Sequence, residues 1–351
     1  MQRKTNINYS NNGFQLPKKY YFSRLEIRQE DFRMKLIFRH LFFIFPLLAS
    51  SLVGLAQQAP SFTHHSYTHA FTNPGFAGLS EGICINGIVR QQWAGFKDME
   101  GNKVAPETFL VTGDTPMRKL KGGLGLSVIQ DKLGFESNVG VQLGYSYHLD
   151  LGSATLGIGT AANFLNRSVD FSKFKPHASG DPILATGEQS DMLFDVNFGL
   201  FLHIPDVYYL GVSMTSALES KGKALTDNSS SSFVGDRTVY LVGGYQFVAP
   251  WNAAYEFHPA ISVVSNFSST QINMSGNIVY NNQFWGGVNY RLQESIGLMV
   301  GMTVLDLRIG YAYDVNTMRL GVPGSHEISL GYCFKIKADK SIRTYRNTRY
   351  L

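Results

Sequence analysis

From residue 82 onward, apolar and polar side chains alternate in short runs separated by turn-forming residues. The run 326–337 shows the pattern well. Ile328, Leu330, Tyr332, Phe334 and Ile336 share one parity, and Glu327, Ser329, Gly331, Cys333 and Lys335 share the other. Successive side chains of a strand point to opposite faces, so this spacing predicts a strand with one apolar and one polar face. Val139, Val141, Leu143, Tyr145, Tyr147 and Leu149 repeat the pattern against Gln142, Ser146 and His148. Fourteen such segments are expected: 82–96, 104–115, 122–130, 135–149, 154–165, 192–203, 207–217, 237–248, 255–267, 271–280, 284–292, 295–304, 307–315 and 326–337. Almost no helical period intervenes. Most segments approach the roughly 9–11 residues with which a tilted strand crosses a bilayer.

The connections sort by parity. Numbered in order, the odd ones carry the long insertions, at 166–191, 218–236 and 316–325. Even ones at 150–153, 204–206, 281–283 and 305–306 are short. A soluble sandwich has no reason to sort its loops this way. A transmembrane barrel does, with short periplasmic turns and long outside loops. The expected fold is therefore all-β: a transmembrane antiparallel barrel of about 14 strands over 82–337, with both termini on the periplasmic side. Residues 57–81 precede it as a lead-in without clear period, a periplasmic lid or a plug for a lumen too wide for side chains alone to fill. Aromatics near strand ends, Trp93, Phe96, Tyr145, Tyr147, Trp251, Trp285 and Tyr313, are expected as interfacial girdles. Asn289, Arg291, Arg308 and Asp314 fall on the inward parity.

Composition agrees with a barrel. Charged residues make up 16%, aromatics 13%, and there are 35 glycines. A basic start at 34–40, an apolar core at 41–53 and small residues before Ala56 read as a secretory signal over 34–56, cleaved after Ala56. The apolar core contains Pro46 and falls short of the roughly 20 residues a spanning helix needs. Gln57, not Cys, follows, which argues against a lipoprotein. Residues 1–33 are expected to be an over-extended start ahead of Met34, and 338–351 form a basic tail. Removing 1–56 changes the charge. The whole chain carries 31 − 26 = +5; residues 1–56 hold nine Lys/Arg and three Asp/Glu, leaving 22 − 23 = −1. A nucleic-acid partner thereby loses its electrostatic support.

Candidate chemistry is sparse. His64, His65 and His69 form a weak metal pattern, without a helix or carboxylate at ligand spacing. Asp314, Ser325 and His326 invite a hydrolase reading, but adjacent residues on a strand point apart and make no Ser–His pair. Gly122-Gly123-Leu124-Gly125 lacks the Lys-Ser/Thr of a phosphate loop, and its glycines are expected to relieve curvature. No catalytic, cofactor-binding or metal residue is expected. Cys84 and Cys333 lie on the inward parity of the first and last strands. In a closed barrel those strands form an antiparallel seam, where the two cysteines share a height and face each other, with or without a disulfide.

Several segments resemble, in order, those of the PorP/SprF family of type IX secretion. Asn73-Pro74-Gly75-Phe76-Ala77-Gly78 resembles the family's Asn-Pro-Ala-Tyr-Ala-Gly opening, and Arg90-Gln91-Gln92-Trp93 its first-strand motif. Asp195-Val196-Asn197-Phe198-Gly199 and Tyr208-Tyr209-Leu210-Gly211 are similar to its mid-chain strands. Phe284-Trp285-Gly286-Gly287 with Tyr290-Arg291, Tyr311-Ala312-Tyr313-Asp314 and Gly324-Ser325-His326-Glu327-Ile328 are similar to its closing strands. The resemblance covers essentially all of 57–337. It implies a non-enzymatic outer-membrane barrel of the secretion and gliding machinery, in contact with lipid. Such a barrel would bind the C-terminal secretion domain of exported, adhesin-like cargo, support its export or surface anchoring, and contact periplasmic or outer-membrane components of the system. The competing reading from the residues is a passive pore, or a barrel transporting lipid or solute.

Overall fold

The computed structural model describes residues 60–80, 82–174, 187–224, 232–318 and 321–335. The expected leader and start region 1–56, the tail 338–351 and the Lys335 side chain lie outside the described residues.

Strands dominate: β1 (Gly82–Gln91), β2 (Glu107–Met117), β3 (Gly122–Leu133), β4 (Glu136–Asp150), β5 (Thr155–Asp170), β6 (Glu188–Ile204), β7 (Tyr208–Thr215), β8 (Lys221–Ala224), β9 (Ser232–Val234), β10 (Thr238–Tyr245), β11 (Phe247–Val248), β12 (Tyr255–Ser265), β13 (Thr270–Tyr280), β14 (Phe284–Arg291), β15 (Ser295–Val304), β16 (Leu307–Asn316) and β17 (Ser325–Lys335). Strands β1 to β7, then β10, then β12 to β17 form one antiparallel ring of 14 strands. Pairing of β10 with β12 and of β1 with β17 closes it, leaving no free edge. β8 and β9 make a separate hairpin in the long connection after β7, and β11 pairs with β12 beyond Gln246.

The alternation becomes a two-sided wall. On β4, Val139, Val141, Leu143, Tyr147 and Leu149 are exposed on the outer face, while Gln142 and Ser146 are buried inside. Each of the 14 ring strands exposes at least one large apolar side chain in this way. In water such a surface would be a liability; in a bilayer it is solvated by acyl chains.

Strand limits depart from the sequence reading at the rims. β1 stops at Gln91 rather than 96, because the chain turns there and Trp93 takes a left-handed φ of 51°. β5 and β6 run on to Asp170 and back from Glu188, inside the segment expected as loop 166–191. Polar pairs replace the apolar alternation there: Arg167 Nε lies 2.7 Å from Glu136, and Ser168 Oγ donates to Glu188. Backbone pairing continues above the height at which lipid demands apolar side chains, so hydrophobic period alone underestimates these strands.

Residues 60–80 lie inside the ring. They fold as a 3₁₀ turn (His65–Tyr67), one α-helical turn (His69–Thr72) and a second 3₁₀ turn (Pro74–Phe76). Pro60 shares a cavity with Asp236 and Asn266, which belong to odd connections, whereas Gly78 sits against Pro116 and Gly123 beside an even turn. The segment thus runs the length of the lumen before β1 begins. This differs from a lead-in confined to the even-turn side, and no period in the sequence reports it.

Candidate functional site: a lumenal plug held at two ends

Near the odd-loop end the plug meets a buried ionic cluster. The β1–β17 register sets Arg90 directly opposite Glu327, and the β16–β17 register sets Asp314 opposite Ser325. Inward parity turns Arg90, Asp314 and Glu327 into the lumen, where each is at most 3% exposed. Arg90 pairs with Asp314 at 2.8 Å and with Glu327 at 2.9 Å. The plug completes the cluster. The backbone N–H groups of Thr63 and His64 donate to Glu327 at 2.9 and 2.7 Å, and His64 Nδ1 lies 2.7 Å from the same carboxylate. The Thr63 hydroxyl donates to Asp314 and accepts from Arg90 Nη1 at 3.0 Å. Buried carboxylates need several donors to offset lost hydration. Here plug backbone supplies part of that set, so plug and wall stabilise each other. Phe62 adds an apolar contact, packing on inward-facing Ile88, Leu110 and Ile129.

At the other end the contact is steric and backbone-based. The Asn73 side chain accepts from Gly75 N at 2.8 Å and donates to the carbonyls of Leu200 and Val212, tying the plug to β6 and β7. A Cβ on Gly159 would lie 2.2 Å from the Pro74 carbonyl carbon; one on Gly157 would lie 2.0 Å from the Gly75 oxygen. A Cβ on Gly123 would lie 2.3 Å from the Cα of Gly78, itself at φ +74°. These strand glycines let two backbones touch. At Gly123, one of the glycines expected to relieve curvature, the missing Cβ makes room for Ala77 and Gly78 of the plug.

The three histidines separate. His64 goes to Glu327, His65 Nε2 lies 2.9 Å from Ser275 Oγ, and His69 sits among the rings of Phe76, Phe201 and Tyr209. Burial, reinforced by Arg291, lowers the His65 pKa to about 4, and burial lowers that of His69 to about 3. Both are neutral at physiological pH.

The remaining singled-out positions have varied roles. Asp195 accepts from the backbone of Val196, Leu218 and Ser220, capping the long loop after β7. The Ser325 hydroxyl accepts from Trp93 N at 3.2 Å and fixes the turn after β1. His326 points to the other face, against Tyr311 and Tyr313. Trp285, expected in a lipid-side girdle, faces inward: its ring packs on His64 and Tyr67 and over Gly301 and Gly310. Cys84 and Cys333 are register partners, joined as a disulfide in the structure. Asp314 was visible on the inward parity, Glu327 on the polar parity of the last strand, and Arg90 only within a first-strand motif. Thr63 and the glycines were not, since they become partners only when the plug is in place.

The family model for the type IX secretion system membrane protein PorP/SprF matches residues 54–332. The chain belongs to this family. Of the positions singled out by resemblance, Asn73, Pro74, Gly78, Arg90, Asp314 and Glu327 lie on the plug and its contacts in this chain. Among curated proteins none matches. Among solved structures the PorP/SprF barrel is similar to the toluene transporter TbuX of Ralstonia pickettii, with 12% identity, 76% of this chain and 93% of that one covered, and TM-score 0.46. A Pseudomonas aeruginosa FadL homologue gives 11%, 76%, 94% and 0.43. The KdgM porin gives 9%, 72%, 99% and 0.34. By its family and its closed 14-strand ring, the PorP/SprF chain is an outer-membrane β-barrel of type IX secretion.

Proposed function

We propose that this barrel acts by recognition, without catalysis. It binds the C-terminal secretion domain of exported, adhesin-like cargo and supports its export or surface anchoring, with periplasmic or outer-membrane secretion components as further partners. The long odd loops are the cargo face, and the short even turns, at the other mouth of the lumen, meet periplasmic partners. The observation that carries this reading is the plug. Segment 60–80 occupies the lumen from one end to the other and is hydrogen-bonded to the wall at both. A barrel so filled is poorly suited to passive diffusion, and its distinctive surfaces are its loops.

The test is gentle extraction from the outer membrane and identification of what co-purifies. A large exported protein bearing a C-terminal secretion domain is expected. Recovery of the barrel alone, together with a large stable open conductance in planar bilayers, would favour the pore or solute-transport reading instead.

A further inference from the structure

At the even-turn end, plug and seam line an open cavity of about 330 Å³. Tyr67, His69 and Phe76 of the plug line one side; Cys84, Asn86 and Arg308 of the wall line the other. Two observations make it more than a gap. Arg308 has only long contacts: its Nη2 is 3.5 Å from Asn86 Oδ1 and 3.8 Å from Cys333 Sγ, and its guanidinium lies 5.1 Å from the centre of the Tyr67 ring. Among the described residues no carboxylate forms a direct ion pair with it, and Asp114 interacts with it only through space. A guanidinium carries five N–H donors, so most of its capacity is unused. Independently, His69 is 5% exposed, and neither of its ring nitrogens has a hydrogen-bond partner. A buried imidazole normally satisfies at least one of them.

We propose that this cavity binds one carboxylate carried on an apolar or aromatic body, with the terminal carboxylate of a polypeptide as its source. Arg308 is the charge partner, and His69 supplies a second polar contact. The rings of Tyr67 and Phe76 and the disulfide wall accept the apolar part. A phosphate dianion fits less well: among the described residues Arg308 is the only Lys or Arg lining the cavity, one cation for two negative charges. The volume lies at the low end of ligand cavities, about 300–1,000 Å³. It admits the end of a chain, not a folded domain. The site lies at the mouth opposite the long loops and stands apart from cargo recognition there, so either can fail alone.

The experiment uses the full barrel, purified in detergent with the seam oxidised, and titration calorimetry. The probes are the peptide acetyl-Gly-Ala-Phe as free acid, the same peptide as C-terminal amide, hexanoate and inorganic phosphate. The free acid is expected to bind at least about tenfold more tightly than the amide, and Arg308→Gln to lose at least about tenfold, with partial recovery in Arg308→Lys. His69→Phe, which keeps a ring among rings, is expected to weaken the acid several-fold while leaving the amide unchanged. Heat-modifiable gel mobility and an intact Cys84–Cys333 crosslink certify folding; if Arg308→Gln fails them, the acid–amide difference and His69→Phe still decide. Equal binding of acid and amide would overturn the site. So would phosphate displacing the peptide. Hexanoate binding more tightly than the peptide would overturn the polypeptide as the source.

Discussion

The two ends of the plug are held by opposite physics. At the odd-loop end the wall contributes charge, and the plug answers with N–H groups, a hydroxyl and an imidazole. At the even-turn end the wall contributes absence: glycines without Cβ atoms, against which Pro74, Gly75 and Gly78 lie backbone to backbone. The ionic end is strong because breaking it strands buried charge. The glycine end is precise because a Cβ at Gly123, Gly157 or Gly159 would collide with plug backbone. A plug held only by charge would loosen with any rearrangement of water in the lumen; one held only by close packing would have no lock. The contrast teaches that the charged motif residues and the small ones serve one purpose, keeping 60–80 in the barrel.

The contrast is most directly broken at Glu327. Glu327→Ala leaves Arg90 with one carboxylate, Asp314, beside the Thr63 hydroxyl, and removes the acceptor of two plug N–H groups. The expected cost is about 3–5 kcal/mol, read as a lower heat-modification midpoint and the appearance of channel current in planar bilayers. A silent, equally stable variant would sink the ionic lock. Next is Cys333→Ser. The bond joins positions 249 apart across the same seam, and its loss is expected to cost about 2–4 kcal/mol. The wild type should change gel mobility on reduction and the variant should not; alkylatable thiols in freshly isolated outer membranes would exclude the bond. Gly159→Ala tests the other end. A methyl at 2.2 Å from the Pro74 carbonyl carbon must push the plug, at about 1–3 kcal/mol. Protease cleavage within 69–78 should rise while the ring remains folded. Asn73→Ala leaves shape intact and removes three hydrogen bonds, with a loss of roughly 1–3 kcal/mol and no channel current.

Mild acid is expected to have the smallest effect. His65 faces Ser275, Arg291, His64 and Glu327, and His69 faces aromatic rings, His65 and His203. Their folded pKa values lie below 6.5, so their contribution is present above the unfolded pKa and is lost as pH falls toward 4 and 3. Between pH 7.5 and 6 the loss should stay under about 1 kcal/mol per histidine. Current noise that rises on acidification in wild type, and less so in His69→Phe, would confirm it; a flat profile in both would remove histidine from the plug's stability.

Much of the wall was legible because its signal is local. Ile328, Leu330 and Phe334 alternate with Glu327 and Ser329 whatever the rest of the chain does, and the lipid enforces that alternation strand by strand. The equal height of Cys84 and Cys333 follows from closure plus parity. The candidate site was legible only in part. Asp314 stood out as an inward charge and Glu327 as a polar-face one, with Arg90 marked only by a motif, but Trp285 read as a girdle residue because an aromatic near a strand end looks the same from either face. Gly123 read as an ordinary barrel glycine and Gly159 drew no reading, since a missing Cβ does not say what occupies its place.

The amino-acid sequence by itself determined the closed ring, its inside and outside, and the sorting of loops, because each rests on a period of two and on connection length. Only the tertiary structure decided that residues 60–80 thread the lumen and that Thr63 meets Glu327 from 264 positions away. Those contacts join a segment without period to a wall that is complete without it, and their energy lies in distances that no spacing along the chain encodes.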